Sequence, residues 1–186
     1  SKMTSGWQNS DLIIIAARPA MGKTAFVLSM AKNMAVNSKV PVALFSLEMS
    51  NVQLVNRLIV NVCEIPGEKI KSGQLAPYEW GQLDYKIKEL YDAPLYVDDT
   101  PGMSIFELRT KARRLVREKG VKIIMIDYLQ LMNANGMRFI DIQHDFGKLL
   151  FDAHQFSQIG FIAIHTENGF RHHNDALESL IVVIFL

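Results

Sequence analysis

Residues 12–26 of this chain read LIIIAARPAMGKTAF. The apolar run at the start is rich in β-branched residues and predicts a buried strand, and a helical pattern begins after the loop at residues 16–21. Strand, tight loop, Gly-Lys-Thr and helix in this order are the context that a P-loop requires. Main-chain N–H groups of the loop and of the helix N-terminus would then form a site for a triphosphate.

The P-loop interpretation assigns a role to each polar side chain of the motif. Lys23 would reach the β- and γ-phosphates, and Thr24 would ligate Mg²⁺. Ala17 stands where the generic pattern has its first glycine, but the mechanism survives because the donors are backbone groups. The alternative is a chance Gly-Lys-Thr before a helix. The candidate nucleotide-binding residues are Arg18, Pro19, Ala20, Met21, Gly22, Lys23, Thr24 and Ala25.

Length and composition limit the possible classes. With 186 residues, 49% of them hydrophobic, the chain is long enough for one globular domain, which we expect to span residues 1–186. The net charge of +1 means that any nucleic-acid site must be a local patch. Cys63 is the only cysteine, so no intrachain disulfide can form, and a reducing cytoplasm fits. No apolar run reaches the roughly 18 residues of a membrane span. The abrupt first and last residues suggest a fragment.

Strand and helix patterns alternate along the chain, which predicts an α/β fold with a mostly parallel, twisted sheet flanked by helices. Parallel strands end at one edge, and ligands bind there. The candidates at that edge are the P-loop, Glu48, Asp127 and the segment after Ile164. The predicted strands are 12–15, 40–47, 95–97, 121–126, 161–164 and 180–185; the predicted helices are 23–37, 51–62, 77–91, 104–119 and 140–156. The expected caps are Ser50, Pro77, Ser104 and Gly120.

Asp127 follows the apolar run at residues 121–126. An acidic residue at the end of such a strand, downstream of a P-loop, is the Walker B arrangement, and its carboxylate would hold Mg²⁺ directly or through water. The alternative is a carboxylate that only caps a turn.

Glu48 lies just past the second predicted strand. That position suits a base that polarises the water attacking the γ-phosphate, because hydrolysis needs a carboxylate within one hydrogen bond of that water. The alternative, equally compatible with the spacing, is an acidic residue that favours the dipole of the next helix.

A basic stripe is predicted on the helix after Ser104, where Arg109, Arg113 and Arg117 recur every four residues. Such a stripe could meet phosphates or a neighbouring subunit, although a solvated helix face is the commoner explanation.

Four segments in order resemble one family, the bacterial replicative DNA helicases of the DnaB type, in their RecA-like C-terminal ATPase domain. They are DLIIIAARPAMGKT at 11–24, FSLEMS at 45–50, KIKSGQL at 69–75 and IMIDYLQLM at 124–132. The likeness covers residues 6–138. The family's own P-loop also has alanine at the position of Ala17, so this departure supports the resemblance.

The resemblance implies a RecA-like P-loop NTPase that uses ATP and Mg²⁺ and forms a homo-hexameric ring on single-stranded DNA, with a primase and a helicase loader as further partners. Lys23 and Thr24 match the Walker A residues, Asp127 the Walker B residue and Glu48 the catalytic glutamate. A neighbouring subunit would supply a trans-acting arginine.

The match decays beyond residue 139. Thr166 stands where the family has a glutamine that senses the γ-phosphate, and residues 174–179 are a blurred version of a DNA-contacting loop. Two other functions therefore stay open at this point. One is a RecA-like recombination or switch ATPase that does not unwind DNA, and the other is a non-catalytic nucleotide-binding scaffold.

Overall fold

The computed structural model describes residues 12–17, 21–63, 65–127, 161–165 and 179–186. The strands in this part of the chain are β1 (Leu12–Ala17), β2 (Val42–Ser46), β3 (Leu95–Asp98), β4 (Ile123–Asp127), β5 (Phe161–His165) and β6 (Ser179–Phe185). The helices are α1 (Lys23–Lys32), α2 (Asn51–Cys63), α3 (Gly67–Ser72), α4 (Pro77–Tyr91) and α5 (Ile105–Lys119), with a π-helical turn at Asn33–Asn37.

The six strands form one sheet in the order β3-β2-β4-β6-β1-β5. Three pairs are parallel, namely β1 with β5, β2 with β3 and β2 with β4. Strand β6 is antiparallel to both β1 and β4 and lies between them. The α/β class with a mostly parallel sheet is therefore confirmed, and β6 is its one reversed strand among the described residues.

Five strands point the same way, so their carboxyl ends lie at one edge, as expected. β1, β2 and β4 end there at Ala17, Ser46 and Asp127. Strand β6 starts at this edge, because Ser179 pairs with Ala17. The insertion of β6 places β1 and β4 two strand spacings apart, or about 10 Å. Any contact with Asp127 must therefore come from a side chain that follows β1 in the sequence.

Helices cover both faces of the sheet, which explains why β2 and β4 are buried along their whole length. On one face, α5 packs Leu108 and Ala112 against Phe45 and Ile124. On the other face, α1 and α2 pack against the alternate side chains of the same strands. That second cluster includes Leu28, Ala31, Leu44, Leu54, Leu58 and Met125.

The sequence predicts that the first helix packs on the sheet through Phe26, Met30, Ala31 and Met34, but the buried stripe of α1 is a different one. The expected stripe included Phe26, but that side chain is 48% exposed, whereas Val27 and Leu28 are buried. Met30 and Ala31 are buried as expected. The apolar residues of this segment extend almost round the helix, so their periodicity could not select the face that the sheet would cover.

The predicted helix boundaries agree with the structure where capping chemistry defines them. Ser50 and Gln53 cap α2 reciprocally, with the Gln53 N–H donating to Ser50 Oγ at 3.4 Å and the Ser50 N–H to Gln53 Oε1 at 3.1 Å. Ser104 Oγ accepts from the Glu107 N–H at 3.2 Å, and Gly120 ends α5 with φ +64°. The predicted loop at 133–136 and helix at 140–156 lie outside the described residues.

Helix α3 was not predicted, and an ion pair fixes it to α4. Lys69 Nζ donates to Glu79 Oε1 at 2.9 Å, and the Ala76 N–H donates to Glu79 Oε2 at 2.8 Å. Glu79 is buried.

In the described part of the chain, no helix combines the length and the apolar character needed to cross a membrane.

We expect Ser104→Ala to lower the free energy of unfolding by about 1 kcal/mol, because the α5 N-terminus loses the acceptor for the Glu107 N–H. In a domain of this size, the melting temperature should fall by about 2–4 °C. Ser38→Ala is the matched control, since Ser38 is exposed and follows a helix rather than starting one. Thermal melts of both variants at neutral pH check this. Equal melting temperatures for Ser104→Ala and the parent would contradict it.

Candidate functional site

The first turn of α1 starts from Gly22, whose φ of +82° lies in the left-handed region. A Cβ at this position would meet nothing within 4 Å, so the backbone conformation, and not lack of space, favours glycine. Lys23 and Thr24 follow and are half-buried, while Met21 and Ala25 are exposed. The other three candidate loop residues, Arg18, Pro19 and Ala20, lie outside the described residues.

Asp127 ends β4 and is only 2% exposed. The Thr24 hydroxyl donates a hydrogen bond to its carboxylate, so α1 bridges the gap that β6 leaves between β1 and β4. Burial raises the pKa of Asp127; the Thr24 hydrogen bond and the positive charge of Lys23 oppose that rise, and the negative charge of Glu48 adds to it. The fold thus brings together Lys23, Thr24, Glu48 and Asp127, which lie on three separate segments of the sequence.

Glu48 lies in the turn after β2, and its side chain is exposed. The backbone of this turn is attached to the end of β4, because the Leu47 N–H donates to the Asp127 carbonyl at 2.7 Å. A carboxylate next to the buried Asp127, yet open to solvent, is placed where a water molecule could reach it. The role of Glu48 as the base that polarises the attacking water stays a prediction.

The donor set at this site fits a small, hard cation. Magnesium prefers oxygen ligands and typically takes one or two from the protein, the remainder coming from phosphates and water. The Thr24 hydroxyl and the Asp127 carboxylate are already in contact and would supply those two oxygens. Across the described residues, no group of three or more His, Cys, Asp or Glu side chains is placed to hold a metal ion.

Arg57 is a further charged group at the site that the sequence analysis did not identify. It lies on α2, and its positive charge lowers the pKa of Asp127. Asn61, one helical turn further along, donates to Ser29 of α1 at 2.8 Å, so this face of α2 is turned toward α1. Arg57 lies one helical turn before Asn61 on this face, and only the contact between the two helices shows that it is close to the P-loop.

The basic stripe on α5 is not uniform. Arg109 and Arg113 are half-buried, whereas the side chain of Arg117 is 80% exposed. The solvated-face interpretation therefore holds for Arg117.

The raised pKa of Asp127 has a consequence for stability. The folded protein binds this proton more tightly than the unfolded chain does, so ionisation of Asp127 opposes folding. The stability contributed by the protonated group is present below the unfolded pKa of about 3.9 and is lost as pH rises through the higher folded value.

We therefore expect Asp127→Asn to raise the melting temperature at pH 7 when nucleotide and Mg²⁺ are absent. The amide removes the buried charge and keeps an oxygen that can accept from Thr24. The gain should shrink as the pH of the melt is lowered, because the carboxylate of the folded parent then takes up a proton and the buried charge is lost. Asp84→Asn is the control, since that side chain is 72% exposed. A lower melting temperature for Asp127→Asn at pH 7 would contradict the argument.

Comparison with known proteins places this arrangement in a family. Residues 1–146 match the family model described as the DnaB-like helicase C-terminal domain. A replicative DNA helicase DnaB of a Nostoc species is 50% identical over 136 residues, covering 72% of this chain and 16% of the relative. The corresponding protein of Geobacillus stearothermophilus is 47% identical over 135 residues, covering 73% and 30%. The chain thus spans less than a third of the length of either relative.

Two solved structures share the fold. One is described as a DnaB-like replicative helicase and its interactions with primase, and it matches with a TM-score of 0.73 and 35% identity over 87% of this chain and 40% of that one. The other is described as an ATPase domain, with a TM-score of 0.67 and 36% identity over 81% of this chain and 55% of that one. The fold is thus that of the DnaB-like, RecA-fold ATPase domains, and the chain belongs to the DnaB-like helicase C-terminal domain family.

Proposed function

We propose that this domain is the motor of a replicative DNA helicase, which couples ATP hydrolysis to movement along single-stranded DNA and to unwinding of the duplex ahead. The observation that carries the proposal is the contact of Thr24 with the buried Asp127, with Lys23 and Glu48 near enough for their charges to act on the same carboxylate. Membership of the DnaB-like family supplies the class of reaction.

The proposed reaction is attack of water on the γ-phosphate of ATP. The triphosphate binds against the main-chain N–H groups in the segment 18–25, where Pro19 has none to donate, and Lys23 offsets the charge that develops on the phosphate oxygens. Thr24 and Asp127 would hold Mg²⁺, which would supply positive charge to offset that of the phosphates. Glu48 orients and polarises the attacking water.

The assembly that we propose is a ring of six identical subunits with nucleotide bound between neighbours. A second subunit then supplies an arginine, which in related NTPases contributes a factor on the order of 10³–10⁵ in rate. The isolated domain should therefore bind nucleotide but hydrolyse it slowly. Brisk turnover by a verified monomer would refute this arrangement.

The further partners of the proposed motor are single-stranded DNA, a primase and a helicase loader. A DnaB-like neighbour is described with its interactions with primase, which supports that partner.

We also propose a cytoplasmic location, because a replicative DNA helicase acts on chromosomal DNA. We also infer that residues 1–186 form one domain, since a single sheet includes strands from Leu12 to Phe185.

The first test separates an enzyme from a nucleotide-binding scaffold. We expect Glu48→Gln in the assembled protein to lower kcat for ATP hydrolysis by about 10²–10⁴-fold, the usual contribution of general base catalysis, and to leave nucleotide affinity unchanged. Lys23→Ala should weaken nucleotide binding as well. Glu118→Gln, an exposed change on α5, is the control. Unchanged hydrolysis in Glu48→Gln would favour the scaffold.

The second test separates a helicase from a switch ATPase. The complete protein should displace the labelled strand of forked DNA only when ATP and Mg²⁺ are present, and Lys23→Ala should lose displacement together with hydrolysis. Steady ATP hydrolysis without strand displacement would favour an ATPase that remodels an assembly and does not unwind DNA.

A further inference from the structure

Side-chain hydrogen bonds of Ser46 and Asp99 hold the turn that carries Glu48, residues 46–50, and the residue that follows it. We propose that Ser46 and Asp99 are positioning residues for Glu48, which fix the turn so that this carboxylate meets the attacking water. The inference deepens the proposed function and rests on it, because it concerns the same reaction.

Ser46 closes the turn from inside. Its hydroxyl donates to the Met49 carbonyl at 2.8 Å and accepts from the Met49 N–H at 3.1 Å. The residue is 1% exposed. A serine hydroxyl has one proton to donate, and that proton is used within the turn. Both hydrogen bonds join Ser46 to the backbone of Met49, so they close the chain around Glu48, which lies between the two residues.

The residues flanking Glu48 are anchored on opposite faces of the sheet. Leu47 is buried in the cluster under α5, together with Phe45 and Ile126. Met49 packs against the cluster under α1 and α2. Because neighbouring side chains are fixed on two sides, the backbone at Glu48 has little freedom while the Ser46 hydrogen bonds are in place.

Asp99 holds the far end of the turn. Its Oδ2 accepts from the Asn51 N–H at 2.6 Å, although the two residues are 48 positions apart in the chain. Asn51 is the first residue of α2, where backbone N–H groups lack partners within the helix. The carboxylate of Asp99 therefore attaches the start of α2, directly after the Glu48 turn, to the end of β3.

Asp99 is itself held by a bridge from α5. Lys111 Nζ contacts Asp98 Oδ2 at 2.9 Å and donates to Thr100 Oγ1 at 2.8 Å, so it holds the residues on both sides of Asp99. The Thr100 N–H also donates to Asp98 Oδ1 at 3.0 Å. These contacts fix the backbone on both sides of Asp99. The hydrogen bond from the Asn51 N–H to Asp99 therefore holds the end of the turn against a fixed segment.

The hydrogen bond between Leu47 and Asp127 makes the position of the Glu48 turn relevant to the reaction. Since the Leu47 N–H donates to the Asp127 carbonyl, the residue before Glu48 in this turn is fixed to the proposed Mg²⁺-binding strand. Ser46 and Asp99 then determine where the next few residues lie relative to that strand. A misplacement of about 1 Å in a reacting group can lower a rate by about 10²-fold.

The test compares Ser46→Ala and Asp99→Ala in the complete, assembled protein. We expect each to lower kcat for ATP hydrolysis by about 10–100-fold while the affinity for a fluorescent ATP analogue with Mg²⁺ stays near that of the parent. Asp99→Asn should recover most of the rate, because the amide oxygen can still accept from the Asn51 N–H. Asp99 is exposed, so Asp99→Ala keeps the test usable if Ser46→Ala folds poorly.

A double-mutant cycle distinguishes positioning from general destabilisation. In a Glu48→Gln background, Ser46→Ala and Asp99→Ala should lower the residual rate no further, because the group that they position is gone. An equal loss in both backgrounds, or parental kcat in both single variants, would overturn the proposal. Asp84→Ala serves as the exposed control. If Glu48→Gln itself hydrolyses ATP at the parental rate, the proposed function fails first, so the two failures are distinguishable.

Discussion

The burial of the Asp127 carboxylate is the constraint on which the site depends. A charge out of water is costly unless it is hydrogen-bonded or paired, and here the raised pKa of Asp127 records that cost. The Thr24 hydroxyl and the charge of Lys23 offset part of it. A bound cation would offset more of this cost. Natural proteins commonly keep such destabilising groups where function requires them.

The sheet fixes the positions of the ends of β1 and β4. Side chains then span the distance between the P-loop and Asp127. Strand β6 separates β1 from β4, yet the first turn of α1 reaches across to Asp127. Gly22 permits the backbone to turn into α1 in a left-handed conformation that other residues rarely adopt. Packing of α1 against the sheet through Leu28 and Ala31 then holds that turn in place.

The two carboxylates differ in environment, and their proposed roles differ accordingly. Asp127 is buried and contacts the side chain of Thr24, as suits a group that holds a cation. Glu48 is exposed on a turn whose neighbours are anchored on both faces of the sheet, as suits a group that must meet water. A rigid backbone under a solvent-accessible side chain combines accurate placement with access, and both Ser46 and Asp99 contribute to that rigidity.

The sequence by itself determined the class of fold, the order of the strands and of the helices other than α3, and the caps at Ser50 and Ser104, because periodicity and capping depend on residues close in the chain. Motif order and the family resemblance also indicated Lys23, Thr24, Glu48 and Asp127. Only the tertiary structure decided which face of α1 is buried, where β6 enters the sheet, and that Arg57 and Asp99 lie near the site. Those features depend on contacts between distant segments, such as Asp99 with Asn51 across 48 positions, and no local pattern encodes the packing that brings them together.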